Sequence, residues 1–203
     1  MSISKEDRER IAAAIQSAEA KTSSEIVCVL AQASANTTAL PILIAAVVAL
    51  ALPWVFMGLT ALTLQRILSL QVLVFLALLI VLCLPSVRVA LLPRKARRAI
   101  AHRAAMEQFI RRGVARIKDR PGILIFVSLA ERYARIVVDD DVAARIPQSK
   151  WQGAVDALVS HMRDGRIADG FIAAIEACGN ELAQHFPGTD ASRNELPDRL
   201  YLI

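Results

Sequence analysis

The sequence lacks the cysteines of a disulfide-stapled fold. It has only Cys28, Cys83 and Cys178, which are odd in number and far apart, and this excludes a disulfide framework. It also lacks the polar composition of a disordered chain, because 55% of its 203 residues are hydrophobic and 21% are charged. Average soluble chains are about 45–50% apolar and about 25% charged, so this composition predicts a membrane protein with a soluble part.

The motifs of common catalytic and metal sites are absent as well. The three histidines, His102, His161 and His185, show no HxxxH or HExxH spacing, which argues against a zinc site. There is no GxSxG nucleophile motif, no phosphate-binding GxxxxGK[ST] loop and no regular EF-hand loop. The sequence therefore assigns no catalytic residue.

Two long runs contain no charged residue, residues 39–64 and residues 67–87. About 20 helical residues cross a bilayer, so each run is long enough for one transmembrane helix. The short link around Arg66 makes the pair a helical hairpin, with both ends of the chain on one side. Neither run contains the ionisable groups that mark ion or proton pathways, which argues against a transporter or channel.

The distribution of charge predicts the sidedness of the chain. The amino-terminal segment has no apolar core of the signal-peptide type, so we expect the first run to act as an uncleaved membrane signal. Net charge is −1 over residues 1–38, +9 over residues 88–120 and −4 over residues 121–203. Positive charge beside a span marks the cytoplasmic side. We therefore expect a multi-pass protein of the cell inner membrane, with the soluble domain and both termini in the cytoplasm.

The basic stretch after the second run also predicts a partner. Lys and Arg next to a span attract anionic lipid head groups, at about 1 kcal/mol each. Phe109 is the one aromatic residue there, so bases would find no stacking platform and we expect no nucleic acid. The predicted lipid-facing and topology-setting residues are Arg88, Arg94, Lys95, Arg97, Arg98 and Arg103.

The remaining segments read as one α/β domain that the hairpin interrupts. Ser4 is placed to cap a first helix, and the β-branched run that follows Glu25 predicts a buried strand. After the hairpin, residues 94–118 show helical spacing, and two further strands with a turn at 130–132 form a β-hairpin. Two helices follow. We expect a small central sheet flanked by helices, built from residues 1–31 and 94–186, and a polar tail over 187–203.

Three segments of the sequence resemble the TPM domain family. They are TSSEIVCVL at 22–30, PGILIFVSLAERYARIVVD at 121–139 and MRDGRIADGFIAAI at 162–175. That family includes photosystem II repair proteins of the thylakoid lumen and many membrane-anchored bacterial proteins. The resemblance implies a central sheet flanked by helices, next to membrane spans. It also implies the activities attached to members: acid phosphatase, calcium binding, and assembly or repair of membrane complexes.

Acidic residues at the end of the third strand form the strongest local cluster. Asp139, Asp140 and Asp141 carry the carboxylate oxygens that calcium prefers, although adjacent strand residues point to opposite faces. The alternative is a solvated loop where the chain leaves the sheet. The family fold implies that Asp169 lies near this loop, where it either adds a ligand or caps the last helix.

Three functions remain open. The first is an integral membrane protein whose TPM-like domain acts by interaction or assembly with membrane protein partners, without catalysis. The second is a calcium- or metal-dependent, acid-phosphatase-like hydrolase using Asp139–Asp141, which only the family resemblance favours. The third is an anionic-lipid-binding module that uses the basic helix.

Overall fold

The computed structural model describes residues 3–34, 39–59, 63–84, 87, 92–114, 121–188 and 196–203. The described elements are helices α1 (Lys5–Glu19), α2 (Ala39–Leu59), α3 (Leu64–Cys83), α4 (Arg94–Arg111), α5 (Asp140–Arg145), α6 (Gln148–Arg163) and α7 (Ile167–His185), and strands β1 (Glu25–Ala31), β2 (Gly122–Ser128), β3 (Tyr133–Val138) and β4 (Leu200–Leu202). They form two compact units: Met1–Ser34 with Ala99–Ile203, called the α/β unit below, and Ala35–Arg98, called the helical unit.

The α/β unit is built on a four-stranded sheet with the order β3-β2-β1-β4. Strand β1 pairs in parallel with β2 and with β4, so that Cys28 lies opposite both Ile125 and Leu200. Strands β2 and β3 form the antiparallel hairpin that the sequence predicts. Every residue of β1 and β2 is buried, which is typical of parallel strands covered on both faces.

Helices α1, α6 and α7 cover one face of the sheet. Ile11 and Ile15 of α1 and Phe171 and Ile175 of α7 are fully buried in the same core as Ile125. Their spacing of four places each pair on one side of its helix. The side chain of Ser4 accepts a hydrogen bond from Asp7 N at 3.0 Å, so the predicted amino-terminal cap of α1 is confirmed.

Helix α4 covers the other face through a second, smaller core. Ala105 and Phe109 are buried there against Leu124 and Phe126 of β2. The sequence predicted this helix over 94–118; its start is confirmed, but the helix ends at Arg111, so the predicted end was wrong. Gly113 has φ 76°, a left-handed conformation that commonly ends helices and that glycine adopts without strain. Residues 115–120 lie outside the described residues.

The polar tail predicted over 187–203 contains a strand. Residues Leu200–Leu202 form β4, which adds to the free edge of β1 with Ile203 N donating to Leu30 O at 3.0 Å. Leu200 is buried, and the Tyr201 ring stacks against the guanidinium groups of Arg112 and Arg199, at 3.8 and 4.8 Å from the ring centroid. Three residues are too few to show a strand's alternation, which explains the missed element.

The helical unit contains α2 and α3, which pack on each other. The sequence predicted spans over 39–64 and 67–87, whereas the described helices end at Leu59 and begin at Leu64. Helix α3 ends at Cys83, since Leu84 has ψ 131° and precedes a proline, a position that disfavours helix. In the described residues one helix, α3, has the length and apolar composition to cross a membrane, while the apolar part of α2, Pro41–Phe56, is shorter. The two-helix transmembrane hairpin is therefore not confirmed.

Candidate functional site

The carboxyl ends of the parallel strands are the edge where α/β sheets usually bind ligands. Glu131, in the turn between β2 and β3, is 6% exposed and accepts hydrogen bonds from Ser34 N at 3.0 and 3.1 Å and from the Ser128 hydroxyl. Arg132, next in the turn, adopts φ 50°. Ser128 is 1% exposed, so its hydroxyl is not available to a substrate. These groups join the ends of β1 and β2 and do not form a nucleophile and base.

The acidic cluster predicted as a cation site lies at the opposite edge. One carboxylate oxygen of Asp139 accepts from Val142 N and the other from Gly122 N, each at 2.9 Å. Asp139 thus caps α5 and is hydrogen-bonded to the start of β2. A cation would have to compete with both backbone amides for the carboxylate oxygens of Asp139. Asp140 and Asp141 are exposed in the first turn of α5, where acidic side chains favour the helix dipole.

Asp169 is occupied by a different partner. It accepts a hydrogen bond from Arg10 Nη2 at 2.7 Å, and the same guanidinium contacts Asp7 at 3.3 Å. This hydrogen bond and charge lower the pKa of Asp169 and raise the pKa of Arg10. Within the described ranges no group of three His, Cys, Asp or Glu side chains is arranged to hold a metal ion. Calcium binding is not shown, and a cation site at Asp139, Asp140, Asp141 and Asp169 stays a prediction.

The most perturbed carboxyl group is one that the sequence analysis did not single out. Burial raises the pKa of Glu19 to about 9, with Glu25 and Asp198 adding negative charge nearby and a hydrogen bond from Ile26 N acting in the opposite sense. That hydrogen bond, to Glu19 Oε1, measures 2.7 Å. Glu19 therefore keeps its proton at neutral pH. Asp198 precedes β4, so no sequence signal could place it here before β4 was known.

The two buried thiols are unreactive. Cys28 on β1 and Cys178 on α7 are both fully buried in the larger core. Burial raises the pKa of Cys28 well above its ordinary value and raises the pKa of Cys178 to about 12. A neutral thiol is a weak nucleophile and a poor metal ligand, so these cysteines act as small apolar core residues.

The predicted basic residues are placed on α4 as far as they are described. Arg94, Lys95, Arg98 and Arg103 are exposed, and Arg97 is half-buried. Arg88 lies outside the described residues. The helix carries six Lys or Arg and one acid, Glu107, which pairs with Arg111 at 2.8 Å. Its solvent-facing side is therefore a cationic surface.

Comparison with known proteins identifies the fold of the α/β unit. A family model described as the TPM domain matches residues 85–181, a range that includes α4, β2, β3, α5, α6 and most of α7. The chain is also similar to the BA42 protein of the psychrophilic bacterium Bizionia argentinensis, whose structure was solved by NMR. The TM-score is 0.63 at 17% sequence identity, over 100% of this chain and 97% of that one. At this identity the likeness shows the fold alone. No curated protein matches the chain.

Proposed function

The chain carries a TPM domain, as the sequence predicted, and from that premise we propose that it is an integral membrane protein in which α2 and α3 form a transmembrane hairpin. The α/β unit then acts by binding or assembling other membrane proteins, without catalysis of its own. We place the protein in the inner membrane, with both termini and the α/β unit in the cytoplasm.

The observation that carries this proposal is the outward direction of the apolar side chains in the helical unit. Leu50 and Trp54 of α2 are 66% and 82% exposed, and Leu73 and Ile80 of α3 are 63% and 69% exposed. In water such a continuous apolar surface would be an aggregation hazard. Helices of 21 and 20 residues are about 30 Å long, which is about the thickness of the hydrocarbon core.

The contacts of the polar groups favour an interaction role over hydrolysis. Ser128 is buried against Glu131, and Asp139 uses both carboxylate oxygens on backbone amides. Each of these bonds ties two strand or helix ends together, so each side chain has a structural explanation. The metal-dependent phosphatase remains the rival, and it would have to act through the exposed Asp140 and Asp141.

Integration and sidedness are tested together in cells. The full chain is fused at its carboxyl end to a reporter active only inside the cytoplasm, and separately to one active only outside, and the membranes are extracted with alkaline carbonate. We expect the chain to stay in the pellet and the inside reporter to be active. Release into the supernatant would contradict integration, and activity of the outside reporter would contradict the proposed topology.

Catalysis is tested on the purified full chain in detergent, with a chromogenic phosphate ester and with calcium or magnesium. We expect no turnover above that of a mock purification. The informative variant is D140N/D141N, because Asp139→Asn would also leave one of the two amides bound by Asp139, that of Gly122 or of Val142, without its acceptor. Turnover by the wild type that this double variant abolishes would replace the interaction proposal with the phosphatase.

A further inference from the structure

Helix α4 has an inward face that is fully explained by the core. Ala101, Ala105 and Phe109 follow at intervals of four and are 0%, 0% and 6% exposed. Ala105 and Phe109 pack on β2 in the smaller core. The opposite side of the helix has no described partner in the core. Its side chains therefore indicate what kind of surface outside the protein could contact it.

The outward face of α4 combines exposed aliphatic and basic side chains. Met106 and Ile110 are 39% and 55% exposed and lie one turn apart. Lys95 and Arg103 are exposed on the same stripe, because the spacing 95, 99, 103, 106, 110 follows the repeat of an α-helix. A purely solvated helix face has no need of two exposed aliphatic side chains among its charges.

The charge of this helix identifies the kind of surface that would cover it. It carries Arg94, Lys95, Arg97, Arg98, Arg103 and Arg111 against the single acid Glu107. Basic helices with an apolar edge lie in the interface of anionic bilayers, where the apolar residues reach the boundary of the acyl chains and the long basic side chains reach phosphate. No aromatic side chain lies on the outward stripe to stack on bases, which disfavours nucleic acid.

The short linker between α3 and α4 limits the distance between the end of α3 and the start of α4. Ten residues separate Cys83, the end of α3, from Arg94, the start of α4. Even fully extended, ten residues span only about 35 Å. If α3 crosses the bilayer, the amino end of α4 is held within reach of its surface.

We infer that the outward stripe of α4 docks on the anionic phospholipid surface of the bilayer, with Met106 and Ile110 in the head-group layer and Lys95 and Arg103 contacting phosphate. This inference rests on the proposed membrane integration. Docking holds the TPM domain against the membrane face, where it would meet partners embedded in that membrane.

The test measures the burial of position 110 in full-length protein reconstituted into vesicles. An environment-sensitive fluorophore is attached to Ile110→Cys in a Cys83→Ser background, since Cys28 and Cys178 are buried. Vesicles are made of phosphatidylcholine alone or with one third phosphatidylglycerol. We expect quenching by aqueous acrylamide to fall several-fold in the anionic vesicles and to recover in 1 M salt, where the screening length shrinks to about 3 Å. A label at Gln16→Cys on the exposed side of α1 should show no lipid dependence.

A charge variant and its matched control separate docking from general attraction. Each Lys or Arg near the surface contributes about 1 kcal/mol, or roughly a fivefold change in the ratio of docked to free helix. The double variant K95Q/R103Q should therefore abolish protection at position 110. The double variant K5Q/R8Q, which removes the same number of exposed charges from α1, should leave protection intact.

Three results would overturn the inference. The first is equal acrylamide quenching of the label at position 110 in neutral and anionic vesicles, by a chain that still co-floats with neutral lipid. This result would contradict docking but remain compatible with membrane integration. The second is protection in detergent that rises with protein concentration, which would make the stripe a contact between two copies. The third is a chain that fails to co-float with any vesicle, and this would remove the proposed integration as well.

Discussion

The two units treat apolar side chains in opposite ways. Helix α7 of the α/β unit buries nine of its 19 residues. Helix α3 of the helical unit is of similar length and almost wholly apolar, yet Ile67 is its one buried residue. The two helices therefore differ in the direction of their apolar side chains, which point inward in α7 and outward in α3. The core of the α/β unit explains the buried side chains of α7, while the proposed membrane span would explain the exposed apolar side chains of α3.

Truncation of one large side chain in each unit would test this comparison most strongly. Phe171 on α7 is fully buried, so Phe171→Ala should lower the free energy of unfolding by about 3–5 kcal/mol, from lost burial and an unfilled cavity. Leu73→Ala on α3, where the side chain is 63% exposed, should cost under about 0.5 kcal/mol. The measurement is unfolding of the full chain in mild detergent, followed by circular dichroism. A similar decrease in the free energy of unfolding for Phe171→Ala and Leu73→Ala would contradict the difference in burial between the two helices.

A charge in the middle of α3 gives the next largest effect. Leu73→Arg should disfavour membrane insertion by about 2.5–3.5 kcal/mol, because an arginine would replace an exposed leucine at the middle of α3, the centre of the proposed span. The readout is the fraction of chain that resists carbonate extraction. Leu202→Arg, at a comparably exposed leucine of β4, serves as the control and should not change that fraction. If Leu73→Arg extracted like the wild type, α3 would not face lipid.

A pH dependence should appear in the α/β unit and not in the helical unit. The pKa of Glu19 rises from 4.5 to about 9 on folding, mainly through burial. Between these pH values the unfolded chain has lost the proton that the folded chain keeps on Glu19. The contribution of Glu19 to the free energy of unfolding is therefore fully present below about pH 4.5 and is lost as the pH rises toward 9. The slope is at most about 1.4 kcal/mol per pH unit for one proton.

Glu19→Gln isolates this contribution. Gln keeps an oxygen that can accept from Ile26 N but cannot ionise, so the variant should match the wild type near pH 4 and become progressively more stable than it up to about pH 9. The measurement is the midpoint of chemical unfolding across this range. A constant difference between the two proteins at all pH values would show that Glu19 is ionised in the folded state.

Local sequence patterns predicted the parts of the fold that are continuous in the chain. Strand β1 shows as a β-branched run after Glu25, and the β2–β3 hairpin shows as two such runs around a short turn. Strand β4 could not be predicted, because three residues become a strand only when the edge of β1 is present to pair with them. The end of α4 was misplaced because apolar spacing continues past Gly113, whose left-handed backbone ends the helix.

The candidate site was less predictable, for the same physical reason. Asp139 was identified as an acidic residue at a strand end, but its second carboxylate oxygen accepts from the amide of Gly122, 17 residues earlier in the chain. The partner of Asp169 is Arg10, on a helix from the other end of the sequence. The raised pKa of Glu19 arises mainly from burial, with smaller contributions from Glu25 and Asp198, and a single sequence displays neither the burial nor the approach of Asp198. Residue type indicates which chemistry is available, while tertiary contacts decide which groups use it.

The smallest predicted effect concerns the close approach of helices α1 and α7 in the α/β unit. Small buried residues also occur in the helical unit, at Ala45 and Ala49, so close helix packing is a feature that the two units share. A Cβ atom at Gly179 of α7 would lie 2.8 Å from the Cβ of Ala18, so Gly179→Ala should lower the free energy of unfolding by about 1 kcal/mol net, overpacking outweighing the helix preference of alanine. At Gly153 of α6 a Cβ would meet nothing within 4 Å, so Gly153→Ala should instead stabilise by about 0.5–1 kcal/mol. Ala18→Gly in the Gly179→Ala background should recover the overpacking loss, as measured by thermal unfolding. If Gly179→Ala stabilised the protein as much as Gly153→Ala, α1 and α7 would not be in close contact.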